Sequence, residues 1–234
     1  MNIETLIRQG SKILKEKNII SHLIDSEILM SKVIQKDRSY LILNQNEEID
    51  QKSSDYYKSL IHQRSNRKPI AYLVGKKDFW KYEFNISEDV LIPRPDTEII
   101  IEKVLELTKY KSKLNVLDIG TGSGCILLTI LKEKPNFYGT GIDLSSKCIN
   151  LSRINAKKLG LINRAKFVKS DIDNYKDGKY DLIISNPPYI KKLDLNNLEK
   201  DVIGFEPVLA LNGGLEGLSE IRKVVNKSSE LIKN

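Results

Sequence analysis

Cysteine, histidine and tryptophan are scarce in this 234-residue chain, with two, two and one copies respectively. Cys125 and Cys148, both inside segments of helical pattern, cannot build the disulfide framework of a small secreted domain. They predict a reducing compartment and plain core roles. His22 and His62 stand away from each other and from any cysteine or acidic cluster, so neither a metal site nor a histidine proton relay is predicted. No run approaches the roughly 18 apolar residues of a membrane span, and the start MNIETLIRQG lacks the basic and apolar regions of a leader. A soluble, cytoplasmic protein without metal or membrane partner is expected.

What is present is charge and enough apolar material for a core. Hydrophobic residues make up 40% and charged residues 29%, with Lys+Arg 38 against Asp+Glu 31, a net +7 and a pI near 9.1. The excess is modest and follows from a lysine-, asparagine- and isoleucine-rich composition, so it does not by itself call for nucleic acid. Its densest part, residues 52–81, carries eight basic and two acidic residues, a solvated face or one turned to an acidic or RNA-containing partner. The length suits one domain plus a smaller one.

Apolar residues recur at helical spacing from residue 1 to about 67: Ile3, Leu6, Ile7, Ile13 and Leu14, then Leu23 to Ile34, then Tyr56, Tyr57, Leu60 and Ile61. Each helix is too short to stand alone, so a small bundle over residues 1–68, ended by Lys68-Pro69, is expected. Residues 69–95 alternate aromatic and β-branched residues with charges and predict a hairpin linker. From 96 to 234 helices and strands alternate, with strands at Asn115 to Ile119, Phe137 to Asp143, Lys166 to Lys169 and Tyr180 to Ser185. That order predicts an α/β domain with a parallel sheet covered on both faces.

Two loops at strand ends carry the chemistry. Asp118-Ile-Gly120-Thr121-Gly122-Ser123-Gly124 delivers an acid and three alternate glycines into a helix start, letting backbone approach a ligand closely. Its spacing departs from the dinucleotide pattern G-x-G-x-x-G, which weakens a pyrophosphate reading and leaves another adenosine cofactor. Asp143 ends the next strand, where a carboxylate accepts ribose hydroxyls or caps the following helix. Asp171 with Ile172 ends the third, suited to an adenine amino group and ring face, or to a plain loop. Asn186-Pro187-Pro188-Tyr189 leaves the fourth strand. Its prolines stiffen the turn and fix its carbonyls, so an amide, a carbonyl and a ring stand ready for a flat –NH2 group.

LDIGTGSG, Asp143 and SNPPYI together resemble the class I S-adenosylmethionine-dependent methyltransferases that modify amide or exocyclic amino nitrogens. The Asn-Pro-Pro-Tyr motif is shared by nucleic-acid and protein enzymes of that group. Ile24 to Leu29, Arg67-Lys68-Pro69 through Gly75 to Phe79-Trp80, Leu91 to Glu98, and Phe205-Glu206-Pro207 with Gly213-Gly214 and Gly217 resemble the peptide chain release factor glutamine methyltransferases over essentially the whole chain.

The resemblance implies a helical substrate-docking domain, a hairpin and a Rossmann-like methyltransferase domain, probed by class I release factors as partners and working as a monomer. It implies cofactor contacts from Gly120, Thr121, Gly122, Ser123, Gly124, Asp143, Asp171, Ile172 and Asn186, with Ile172 at a position often aromatic in the family. Asn186, Pro187, Pro188 and Tyr189 would bind the glutamine of the Gly-Gly-Gln loop, with Asn186, Pro187 and Tyr189 catalytic. Arg94 and Glu98 would help close the site, or act only as an ion pair and a helix cap. The family continues beyond Asn234 with three further strands, so a C-terminally truncated domain with strand 181–185 at an edge, and reduced stability, is expected. A nucleic-acid amino methyltransferase and an inactive relic are the competing readings.

Overall fold

The computed structural model describes residues 1–233 and divides the chain into two compact units. Met1–Gly75 together with Lys200–Phe205 form the helical unit, and Lys76–Glu199 with Glu206–Asn234 the catalytic unit.

In the helical unit, α1 (Ile3–Glu16), α2 (His22–Ile34), α3 (Arg38–Leu43), α4 (Gln51–Ser65) and α5 (Ile70–Val74) follow one another. Three start on side-chain caps: Asn2 accepts from the Thr5 N–H, Asp37 from Tyr40 and Asp50 from Ser53, each satisfying a donor the helix cannot. Ile3, Leu6, Leu14, Leu29, Met30, Tyr57 and Ile61 close the core, all but excluded from solvent. Helix α5 corrects the expectation that Lys68-Pro69 ends the helical region and opens the hairpin. Pro69 is the N-cap of α5, where its missing N–H costs nothing, and its carbonyl accepts from Tyr72 and Leu73 at 3.1 and 3.2 Å.

In the catalytic unit the hairpin is shorter than expected, β1 (Lys76–Phe79) paired antiparallel with β2 (Tyr82–Asn85). Residues 86–94 form no strand, because Pro93 and Pro95 withhold ladder donors, though Ile86, Val90 and Ile92 are buried. A 3₁₀ turn Pro95–Thr97 leads into α6 (Glu98–Leu107). Then come β3 (Asn115–Ile119), α7 (Cys125–Glu133), β4 (Tyr138–Asp143), α8 (Ser146–Lys158), β5 (Ala165–Lys169) and β6 (Leu182–Ser185). These strands form a parallel sheet in the order β5-β4-β3-β6, with β3 buried on both faces from Val116 to Ile119. On one face Leu117, Ile119, Ile142, Ile172 and Leu231 pack together. Strand β6 is an edge. Among the described residues, its outer side is paired only where Tyr180 bridges Ile232.

Between β6 and the last helix the chain makes short turns that no periodicity announced: 3₁₀ segments Lys192–Asn197 and Val208–Ala210, and helix α9 (Lys200–Ile203), which belongs to the helical unit. Helix α10 (Ser219–Leu231) follows.

Candidate active site

The C-terminal ends of β3, β4, β5 and β6 surround a cavity of about 320 Å³. Ligands collect at this end of an open α/β sheet because the loops diverge there, and the volume lies in the range of small-molecule sites, roughly 300–1,000 Å³. A second hollow of about 380 Å³ opens at the opposite strand ends, beside Asn115, Tyr138 and Ala165. It faces neither the glycine loop nor the carboxylates, so the chemistry belongs to the first.

Gly120 and Gly122 line the cavity, with φ of +74° and +55°, a region closed to most side chains. The rest of the loop turns away. Thr121 is buried and donates its hydroxyl to Asp118 Oδ2 at 2.7 Å. Ser123 is buried too, its carbonyl taken by Asn155 Nδ2 at 2.9 Å, and Gly124 is the N-cap of α7. Of the five loop residues expected at the cofactor, two therefore reach the cavity wall and three build the loop behind it. The periodicity of a strand does not say which way an irregular loop points.

Asp143 organises that loop. Its Oδ2 accepts the Gly122 N–H and its Oδ1 the Ser145 N–H, each at 2.9 Å, and the carboxylate still lines the cavity with spare lone pairs. The cap of α8 is Ser145, which accepts from Cys148 at 3.3 Å. Asp118 beneath is completely buried with Oδ1 unpartnered. Burial first, then the Asp143 charge, pushes its carboxyl up to about 7 against the Thr121 hydrogen bond. Cys148 reaches the wall, but burial and the Asp143 charge push its thiol up to about 11, so it is no nucleophile.

Asp171 and Ile172 line the side below β5, Asp171 Oδ1 accepting the Asp173 N–H at 2.9 Å. Opposite them α10 contributes Glu220, Lys223 and Val224. Lys223 donates to Glu220 at 2.9 Å, and that carboxylate raises the pKa of its ammonium. Sequence reading missed this wall, because Glu220 and Lys223 look like any exposed helical ion pair.

Asn186, Pro187 and Pro188 complete the cavity at the end of β6, which Ser185 ties to β3 by donating to the Ile119 carbonyl at 2.7 Å. Asn186 Nδ2 points to Thr97 Oγ1 at 3.5 Å, and its Oδ1 has no partner among the described residues. Tyr189 differs from expectation. It is 65% exposed and lines another cleft with Ile183, Ile221 and Val225. A ring directly after two prolines follows their fixed path rather than returning over Asn186.

Arg94 and Glu98 do not line the cavity either. Arg94 Nη2 donates to Glu206 Oε1 at 2.5 Å, and Glu98 Oε1 accepts from the Trp80 N–H at 2.7 Å in the hairpin turn. Glu206 is 1% exposed, and burial raises its pKa although Arg94 opposes the shift. Of Leu91 to Glu98, Leu91 lines the cavity and Thr97 meets it through Asn186.

The comparisons agree with this geometry. The profile of the PrmC N-terminal domain matches residues 5–75, and that of the methyltransferase small domain residues 96–209. A release factor glutamine methyltransferase of Clostridium acetobutylicum is 37% identical over 236 residues, covering 100% of this chain and 83% of that protein. This chain belongs to that family. A second member, from Buchnera aphidicola, is 37% identical over 232 residues, covering 99% of this chain and 82% of its own length. Among solved structures, a methyltransferase from Geobacter sulfurreducens holding S-adenosyl-L-homocysteine aligns with 60% of this chain and 45% of its own at 20% identity and a TM-score of 0.38, too low to weigh in the assignment.

The donor set fits S-adenosylmethionine: a carboxylate at the end of β4, glycines that leave backbone open to the ligand, and an apolar wall of Ile119, Ile142 and Ile172. No helix among the described residues is long and apolar enough to cross a membrane, and none of their acidic, histidine and cysteine side chains cluster for a metal.

Proposed function

We propose that the chain transfers the methyl group of S-adenosylmethionine to the side-chain amide nitrogen of the glutamine in the Gly-Gly-Gln loop of class I release factors. It acts as a cytoplasmic monomer in translation termination, with no need for nucleic acid. The observation that carries this is Asn186 with its amide nitrogen turned to Thr97 and its oxygen free, beside two prolines at the wall that Asp143 and Gly122 share.

Bound S-adenosylmethionine supplies an electrophilic methyl group. Everything else falls to the chain. Asp143 holds the ribose hydroxyls, the Gly120 and Gly122 backbone the amino-acid tail, and Asp171 with Ile172 the adenine. Asn186 Oδ1 and the Pro187 carbonyl accept hydrogen bonds from the two N–H groups of the substrate amide, which raises electron density on a nitrogen whose lone pair is otherwise delocalised, and one of those protons leaves to water once the methyl carbon has passed from sulfur to nitrogen. Pro188 stiffens the turn that aims it. Rate then comes from alignment and exclusion of water, with no base needed before transfer. Tyr189 guides the incoming loop from outside the cavity.

Incubation with methyl-labelled S-adenosylmethionine and a release factor tests this. Label on the factor, lost in its Gln→Ala variant, is expected. Equal labelling of both factors, or label on RNA instead, overturns it.

A further inference from the structure

We propose that the turn from Asn212 to Gly217 is a positioning clamp for the Asn186–Tyr189 turn, and that Gly213 and Gly217 lack side chains because none fits between the two. This rests on reading Asn186 and Pro187 as the amide-holding groups.

Three main-chain hydrogen bonds make the clamp. The Ile190 N–H donates to the Leu211 carbonyl at 3.1 Å, the Gly213 N–H to the Ile190 carbonyl at 2.8 Å, and the Lys192 N–H to the Gly214 carbonyl at 2.9 Å. Asn212 braces the bend by accepting the Gly214 N–H on Oδ1 at 2.9 Å. Between the two segments backbone meets backbone. A Cβ on Gly213 would stand 2.8 Å from the Pro188 carbonyl oxygen, the Tyr189 Cα and the Gly217 carbonyl oxygen. A Cβ on Gly217, whose φ is +76°, would overlap the Tyr189 carbonyl oxygen. No rotamer change relieves contacts with main-chain atoms, so the turn itself must move.

The need for a clamp follows from the topology. Directly after Ile190 the chain departs on an excursion whose middle, Lys200–Phe205, belongs to the helical unit. The glycine turn closes the neck of that excursion, where Ile190 bridges Asn212. Asn186 to Tyr189 is thereby held by its own unit whatever the excursion does. Two adjacent prolines pass a displacement at Pro188 on to Asn186 with little loss.

The test compares Gly213→Ala and Gly217→Ala with Gly160→Ala, a control at φ +71° with nothing within 4 Å of the added Cβ. A misplacement of about 1 Å costs on the order of 100-fold in rate. For Gly213→Ala, kcat on a release factor should fall by about that factor while the cofactor Kd stays within about twofold and the thermal midpoint matches that of Gly160→Ala. Hydrogen exchange at the Ile190, Lys192 and Gly213 amides should quicken in the clamp variants and not in the control. A kcat within about threefold of wild type, or a loss of cofactor binding as large as the loss of kcat, overturns the clamp. An inactive wild type whose Gly213→Ala form still shows quickened exchange sinks the functional reading and supports the clamp. Unchanged exchange sinks the clamp whatever the activity.

Discussion

The two units bury charge in opposite ways. In the helical unit, Arg64 is 8% exposed with Nε on Asp25 at 2.7 Å, and Nη1 on Asp201 at 2.7 Å and the Lys68 carbonyl at 3.2 Å. In the catalytic unit, the buried carboxylates are half used, with Asp118 Oδ1 and Glu206 Oε2 left without a partner. A buried charge held by two carboxylates and a carbonyl restricts the packing around it. A buried carboxyl left half satisfied carries a perturbed pKa, the usual mark of a working site. The helical unit pairs its buried arginine with two carboxylates, and the catalytic unit keeps two buried carboxyls with an acceptor to spare.

Breaking the paired side of that comparison should have the largest effect. Arg64→Ala strands Asp25 and should cost about 3–5 kcal/mol in urea denaturation. A loss under about 1 kcal/mol would mean that the Arg64 cluster is not what holds the helical unit together.

On the other side, Arg94→Ala leaves Glu206 buried alone. Since the arginine is 40% exposed, solvent offsets part of the penalty and about 2 kcal/mol is expected. Glu206→Gln in the same background should recover much of it, because a neutral amide needs no counter-charge. Failure of that rescue would show that packing, not charge, binds the pair.

The effect expected at Asp118 is a slope of stability with pH. Its folded carboxyl, pushed up to about 7, keeps a proton that the unfolded chain has released above about pH 4. Stability therefore falls as pH rises through that window, by at most about 1.4 kcal/mol per pH unit. Asp118→Asn should flatten the slope between about pH 4 and 7, read from thermal midpoints across that range. An unchanged slope would remove Asp118 from the contrast.

Much of the scaffold was legible beforehand. Strand β3 falls on the residues its apolar run marked, and β4, β5 and β6 lie within two residues of expectation, because buried strands show as short apolar runs between turn residues. Gly120, Gly122, Asp143, Asp171, Ile172 and Asn186 each sit at the end of such an element and line one cavity. Helix α5, the excursion over 191–212 and the orientation of Tyr189 were not legible. Five residues, or a turn between prolines, carry no period long enough to read.

What the sequence by itself determined is which elements form and which residues stand at the strand ends where a ligand binds. Only the tertiary structure decided that Thr121 turns inward to Asp118, that Arg94 serves Glu206 across 112 positions of chain, that Lys223 faces the cavity, and that Gly213 lies against Pro188. Local preferences act over a few residues and leave their mark in the order of side chains. Close approach between distant segments is set by how whole elements pack, and nothing in either segment records the other.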